Sequence, residues 1–164
     1  LDSSLIKFEF IKEEKLNNFG IDNLVVLYSP SSKIELKPLT KIASGGEKSR
    51  ILLAIKSVFA KKNNLPTIIF DEIDSGTSGE IAESIGFLMK KMSIKIQIIS
   101  ITHLAQVASK GNYHFKVIKT NNNGNSRTNI IKLSKSDRIA EIASMISGKK
   151  ITNSALNQAE ELLK

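Results

Sequence analysis

Apolar and charged residues alternate in Leu-Ile-Lys-Phe-Glu-Phe-Ile over residues 5–11, which predicts a strand because side chains two apart share one face. A turn around Gly20, a second strand over 24–28, a Ser-Pro-Ser-Ser turn at 29–32 and a short third strand over 33–36 extend this into a small antiparallel β layer. The period then changes. Ile51, Leu52, Ile55, Val58 and Phe59 recur at helical spacing, so residues 48–62 predict a helix of about four turns, ended by Asn63-Asn64 and blocked by Pro66. Two short apolar runs, 67–70 and 94–102, are read as buried strands, with a helix over 80–92 between them. A short helix over 104–109 follows. Two strands over 113–119 and 128–133 come next, joined by an Asn-rich hairpin loop at Asn121–Asn125, and then two helices over 135–146 and 153–163, the first ended by Gly148. Strand, loop, helix, strand in the middle of the chain predicts an α/β core with parallel strands.

Composition changes this picture little. The 164 residues and 41% apolar content suit one compact domain, with a β-rich layer over 1–40, a core over 41–112 and a hairpin and helical tail over 113–164. No cysteine is present, which excludes disulfides and thiolate metal sites and is compatible with a reducing cytoplasm. No apolar run approaches the length of a membrane span, so no membrane association is expected. The first residue is Leu1, which predicts a piece of a longer protein. The net charge of +8 divides equally between residues 1–70 and the rest, and all but three of the 24 basic residues are Lys. That pattern fits a solvated surface or a face for nucleic acid, the latter weakened by the shortage of Arg, the better bidentate phosphate ligand.

Three features carry candidate chemistry. Ser44-Gly45-Gly46-Glu47 opens the 48–62 helix; glycines let a ligand approach the backbone, and a helix start offers unpaired N–H donors to a phosphate. Equally, Ser44 and Glu47 have the spacing of a capping box. Asp71-Glu72 end the first buried strand, where ligands sit in open α/β sheets. Asp71 can hold Mg²⁺ and Glu72 can orient or activate a water, or the pair is simply a polar turn. His103 ends the second buried strand, either to sense a γ-phosphate or as a structural histidine.

The order and spacing of the three resemble the second lobe of an ABC-type, P-loop NTPase-like ATPase head. Residues 43–47 match its signature motif, 68–72 its Walker B strand, His103 its switch histidine, and Ser75-Gly76-Thr77-Ser78 its D-loop. A finer resemblance is to the RecN-type DNA repair family, SMC-like proteins of bacteria. It lies in Ile42-Ala43-Ser44-Gly45-Gly46-Glu47-Lys48-Ser49-Arg50, in the run from Phe70 to Gly79, and in Ile101-Thr102-His103-Leu104-Ala105-Gln106-Val107-Ala108. Transporter heads more typically read Ser-Ala-Leu-Asp in the D-loop, and Ser78 stands where that Asp would be; Lys48 replaces an apolar residue of many RecN sequences.

By this resemblance, Ser44, Gly45, Gly46 and Glu47 would bind ATP held by a second head. Ser75 and Gly76 would lie along the seam between heads. Asp71 would bind Mg²⁺, and Glu72 and His103 would act in hydrolysis on their own head. The partners implied are the N-terminal lobe of the same head, a second head in a homodimer, and DNA through the complete protein, in the bacterial cytoplasm at the nucleoid. No Gly-x-x-x-x-Gly-Lys-[Ser/Thr] loop occurs, so the chain alone is expected not to hydrolyse ATP although the complete protein would. The rival readings are a Rad50-like, SMC-like or transporter head, and a non-catalytic dimerisation or DNA-binding module, in which the basic hairpin around Lys116 and Lys132 would be the DNA-contacting candidate.

Overall fold

A computed structural model describes residues 3–122, 125–148 and 150–164. The chain divides into two compact units, Leu1–Leu52 and Leu53–Lys164.

In the first unit, β1 (Leu5–Asn17), β2 (Gly20–Ser29) and β3 (Lys37–Pro38) form an antiparallel sheet in that order. Leu5 faces Ser29 and Lys12 faces Asp22, after which the register shifts before Asn17 meets Gly20. Gly20 supplies the left-handed backbone of that turn (φ +112°). In place of the predicted third strand at 33–36, β3 is two residues long and lies at Lys37–Pro38. Ile34 N–H donates to the Ser31 carbonyl (2.9 Å), and the buried Ser29 hydroxyl lies 2.6 and 2.7 Å from the carbonyls of Ser31 and Ile34, so the segment is a turn rather than an extended strand. A short helix α1 (Leu39–Ile42), not foreseen from the pattern, precedes α2 (Gly45–Lys62). Tyr28, Ala43 and Ile51 form the small core of this unit, with Leu39 and Ile42 against them.

In the second unit, β4 (Thr67–Asp71) and β5 (Gln97–Ile101) pair in parallel, joined by the crossover helix α3 (Gly79–Met92). The end of α2 and α3 cover one face: Leu53, Ala60, Ile68, Phe70, Ala82, Ile85 and Met89 form the main core. The sequence predicts strands buried on both faces, but only one face is covered. Ile69 and Ile101 are 58% and 53% exposed, because no other layer among the described residues packs on that side. The short helix α4 (Ala105–Ala108) packs closely on α3, where a Cβ on Gly86 would come within 3.0 Å of the Gln106 carbonyl oxygen.

The hairpin of β6 (Phe115–Asn122) and β7 (Asn125–Lys132) follows. Its strands run further than predicted, to Asn122 and from Asn125; of the predicted loop, Asn123 and Gly124 lie outside the described residues. The helices α5 (Lys135–Ser147) and α6 (Asn153–Leu162) then meet through Ala143, Ala155 and Ala159, small residues that let two helices approach. Ser134 and Thr152 cap them, each hydroxyl accepting a main-chain N–H three residues on at 3.2 Å. Gly148 ends α5 at φ +75°.

Candidate functional site

In the first unit the start of α2 is a full capping box. Ser44 N–H and Oγ–H both donate to Glu47 Oε2 (2.9 and 2.8 Å), and Glu47 N–H donates to Ser44 Oγ (3.3 Å). The other carboxylate oxygen accepts from the hydroxyl of fully buried Tyr28 (2.9 Å). Both oxygens of Glu47 are therefore engaged within the protein, and its part in the site is to fix the loop. The hydrogen bonds from Ser44, ahead of that from Tyr28 and the nearby charge of Arg50, hold the Glu47 carboxyl below its usual pKa; burial and Glu47 raise that of Tyr28. Gly45 is different. A Cβ there would meet nothing within 4 Å among the described residues, so the packing around it does not require glycine. Glycine in a helix is disfavoured against alanine by up to about 1 kcal/mol.

In the second unit, Asp71 closes β4 opposite Ile101 of β5, and Glu72 N–H donates to the Ile101 carbonyl (3.0 Å). The two strand ends are thus clamped side by side, with His103 two residues beyond. Asp71, Glu72 and His103 are all exposed, and no protein hydrogen bond or ion pair is made by their side chains among the described residues. Glu72 has a left-handed backbone (φ +46°), a conformation that costs a residue with a Cβ roughly 1–2 kcal/mol. The chain then turns sharply: Ser75 N–H donates to the Glu72 carbonyl (3.0 Å) and Gly76 has φ +74°. Ser75 and Gly76 are exposed on this turn. The candidates therefore fall into two sets: Ser44, Gly45, Gly46 and Glu47 in the first unit, and Asp71, Glu72, Ser75, Gly76 and His103 at one edge of the second.

Several supporting residues have no signal in the sequence. Tyr28 lies 19 residues from Glu47. Asp74, 1% exposed, accepts a hydrogen bond from the Thr102 hydroxyl. Arg138 on α5 donates to the carbonyls of Ser109 (2.7 Å) and Gly111 (2.5 Å), tying down the chain just after α4. Next to it, part-buried His114 has its pKa lowered, chiefly by burial and then by the charge of Arg138, against an opposing pull from Glu141. A histidine held neutral by the fold binds fewer protons than in the unfolded chain, so its contribution is intact above about pH 6.5 and is lost as pH falls below that value. Thermal unfolding is expected to show stability declining as pH falls below about 6.5, with the decline flattened in His114→Gln; an unchanged slope in the variant would remove His114 as its source. The basic hairpin is partly committed: Lys116 pairs with Glu141, and Lys132 sits over the Tyr113 ring at 4.3 Å.

No family model matches the chain. Among solved structures, the Smc head domain from Pyrococcus yayanosii superposes with a TM-score of 0.64 at 24% identity, covering 88% of this chain and 26% of that one. An Smc head bound to the C-terminal winged-helix domain of ScpA gives 0.58 at 25%, covering 80% and 39%. The fold is that of an SMC-type ATPase head. Among curated sequences, DNA repair protein RecN of Bacillus subtilis (strain 168) is 43% identical over 150 residues, 92% of this chain and 26% of that protein. RecN of Vibrio cholerae is 42% identical over 144 residues, again 26% of its length. The chain is similar to RecN proteins at 42–43% identity over 88–92% of its own length, and it spans about a quarter of the length of the relatives it matches.

Proposed function

We propose that the chain is the C-terminal lobe of the ATPase head of a RecN-type DNA repair protein, and that the lobe binds ATP and acts in its hydrolysis only within the complete head. The observation that carries this reading is the clamped end of the parallel strands, where two exposed carboxylates and a histidine, none with a side-chain hydrogen bond or ion pair among the described residues, lie at one edge, one of them on strained backbone. Such outliers persist where function needs them, and this edge is where ligands bind in open α/β sheets.

Asp71 would hold Mg²⁺. Among the described residues no group of three or more His, Cys, Asp or Glu forms a metal cage. Mg²⁺ travelling with a nucleotide needs only one or two carboxylates and waters, which an exposed, unpaired Asp71 suits. The ion would neutralise charge on the phosphates. Glu72 would orient and deprotonate the attacking water, and His103 would donate a hydrogen bond to a γ-phosphate oxygen. Ser44 and the N–H groups of Gly45 and Gly46 would meet the γ-phosphate of ATP on a second head, with Ser75 and Gly76 along the seam. The family name, DNA repair protein, supports DNA as a partner of the complete protein and the cytoplasm as its place of work.

An N-terminal lobe is supported by the bare faces of this one. Parallel sheets are covered on both sides, yet Ile69, Ile99 and Ile101 are exposed on β4 and β5, as are Phe8 and Phe10 on β1. The test is ATP hydrolysis by this chain alone and mixed with a separately expressed N-terminal lobe. The expected result is no turnover alone and turnover in the mixture. Turnover by this chain alone would sink the split-head reading.

A further inference from the structure

We propose that Asp74 is a positioning residue which, through Thr102, ties the Ser75–Gly76 turn to the orientation of His103, so that a change at the turn is felt at the histidine. This rests on the reading of His103 given above. Asp74 is almost wholly buried, unusual for a carboxylate with no cationic partner among the described residues. One oxygen, Oδ2, accepts from the Thr102 hydroxyl; the other, Oδ1, is buried with no partner among the described residues. Thr102 Oγ1 in turn accepts from Leu104 N–H (3.0 Å). A hydroxyl has one proton, so Thr102 must point it at Asp74 while receiving the Leu104 amide.

Thr102 and Leu104 flank His103. The backbone on both sides of the histidine is therefore fixed by one hydroxyl whose direction Asp74 sets. The same residue closes the turn on its other side: the Asp74 carbonyl accepts from Thr77 N–H (3.1 Å) and from Thr77 Oγ (2.7 Å), enclosing Ser75 and Gly76. One residue thus holds two loops, the turn by its carbonyl and the histidine loop by its carboxylate. A purely structural group here would be better satisfied. A buried carboxylate with one neutral donor and an unpaired oxygen is a poor stabiliser, and an apolar pair would fill the space at less cost. Linkage between the loops is what the arrangement provides that such a pair would not.

The test is steady-state ATP turnover by the complete protein. Thr102→Val keeps the shape and removes the hydroxyl; kcat is expected to fall by about tenfold or more, as for a displaced catalytic group, while KM for ATP stays within about twofold. Thr102→Ser, which keeps the hydroxyl, is expected to restore most of kcat. Asp74→Leu breaks the link from the opposite side, reproduces the loss, and stands in should Thr102→Val not fold. On a His103→Ala background neither substitution is expected to slow turnover further. Normal kcat in Thr102→Val, failure of Thr102→Ser to rescue, or an equal further loss on the His103→Ala background would overturn the coupling. Should His103→Ala itself turn over normally, the reading of the histidine falls and the coupling with it; a slow His103→Ala with a normal Thr102→Val would refute the coupling alone.

Discussion

In the complete protein, Glu72→Gln is expected to lower ATP turnover by about 10²- to 10⁴-fold, the usual contribution of a positioned acid or base, while leaving ATP bound. The structure makes this a clean substitution. Glu72 is exposed and its carboxylate makes no hydrogen bond or ion pair among the described residues, so the amide breaks no contact. Its backbone N–H to Ile101 and its left-handed φ belong to the main chain and survive the change. Charge and basicity are what is removed. Since ATP would fasten two heads and hydrolysis would release them, the variant should also accumulate as ATP-bound pairs. Single-turnover hydrolysis and light scattering with ATP read the two effects separately. Unchanged turnover would take Glu72 out of the chemistry. Slow turnover without accumulation of pairs would leave Glu72 its role and separate hydrolysis from release.

How much of this could be read from sequence depended on the range of the interaction concerned. The capping box was visible as Ser44 and Glu47 three apart, because a helix start is decided by near neighbours. The strands β4 and β5 show as short apolar runs, although β5 is shorter than the predicted 94–102; Asp71 ends β4, Glu72 follows it, and His103 lies two residues beyond the end of β5. What pattern could not supply was anything joining distant residues. The Tyr28 hydroxyl on Glu47, the Asp74–Thr102 bond and the Arg138 bonds to the carbonyls after α4 bridge 19 to 29 residues, and no periodicity marks them. The third strand lies later than predicted for a related reason: a buried Ser29 hydroxyl bonded to the Ser31 and Ile34 carbonyls folds residues 33–36 into a turn. Nor could apolar runs reveal that one face of β4 and β5 lies bare, since a buried strand and a strand awaiting a partner have the same composition.

A lobe that works across a seam should be disabled by a change that leaves it folded. Ser44→Arg is expected to weaken ATP-dependent head pairing by about 30-fold or more, the loss typical of an interface hot spot, with ATP binding by a single head nearly unchanged. Ser44 is exposed, and its hydroxyl caps α2. Losing the cap costs about 0.5–2 kcal/mol, and a cation beside the positive end of the helix adds a little more. Ser44→Ala bears the same loss of cap without the bulk or charge, so it separates local loosening from obstruction of the seam. If pairing fails in Ser44→Arg and largely persists in Ser44→Ala, the motif faces a second head. The comparison is best made in the Glu72→Gln background, where pairs accumulate and a 30-fold change is easily seen. A folded single head that can no longer bind ATP when Ser44 becomes Arg would place the motif on its own nucleotide, and the two-sided arrangement would have to be abandoned.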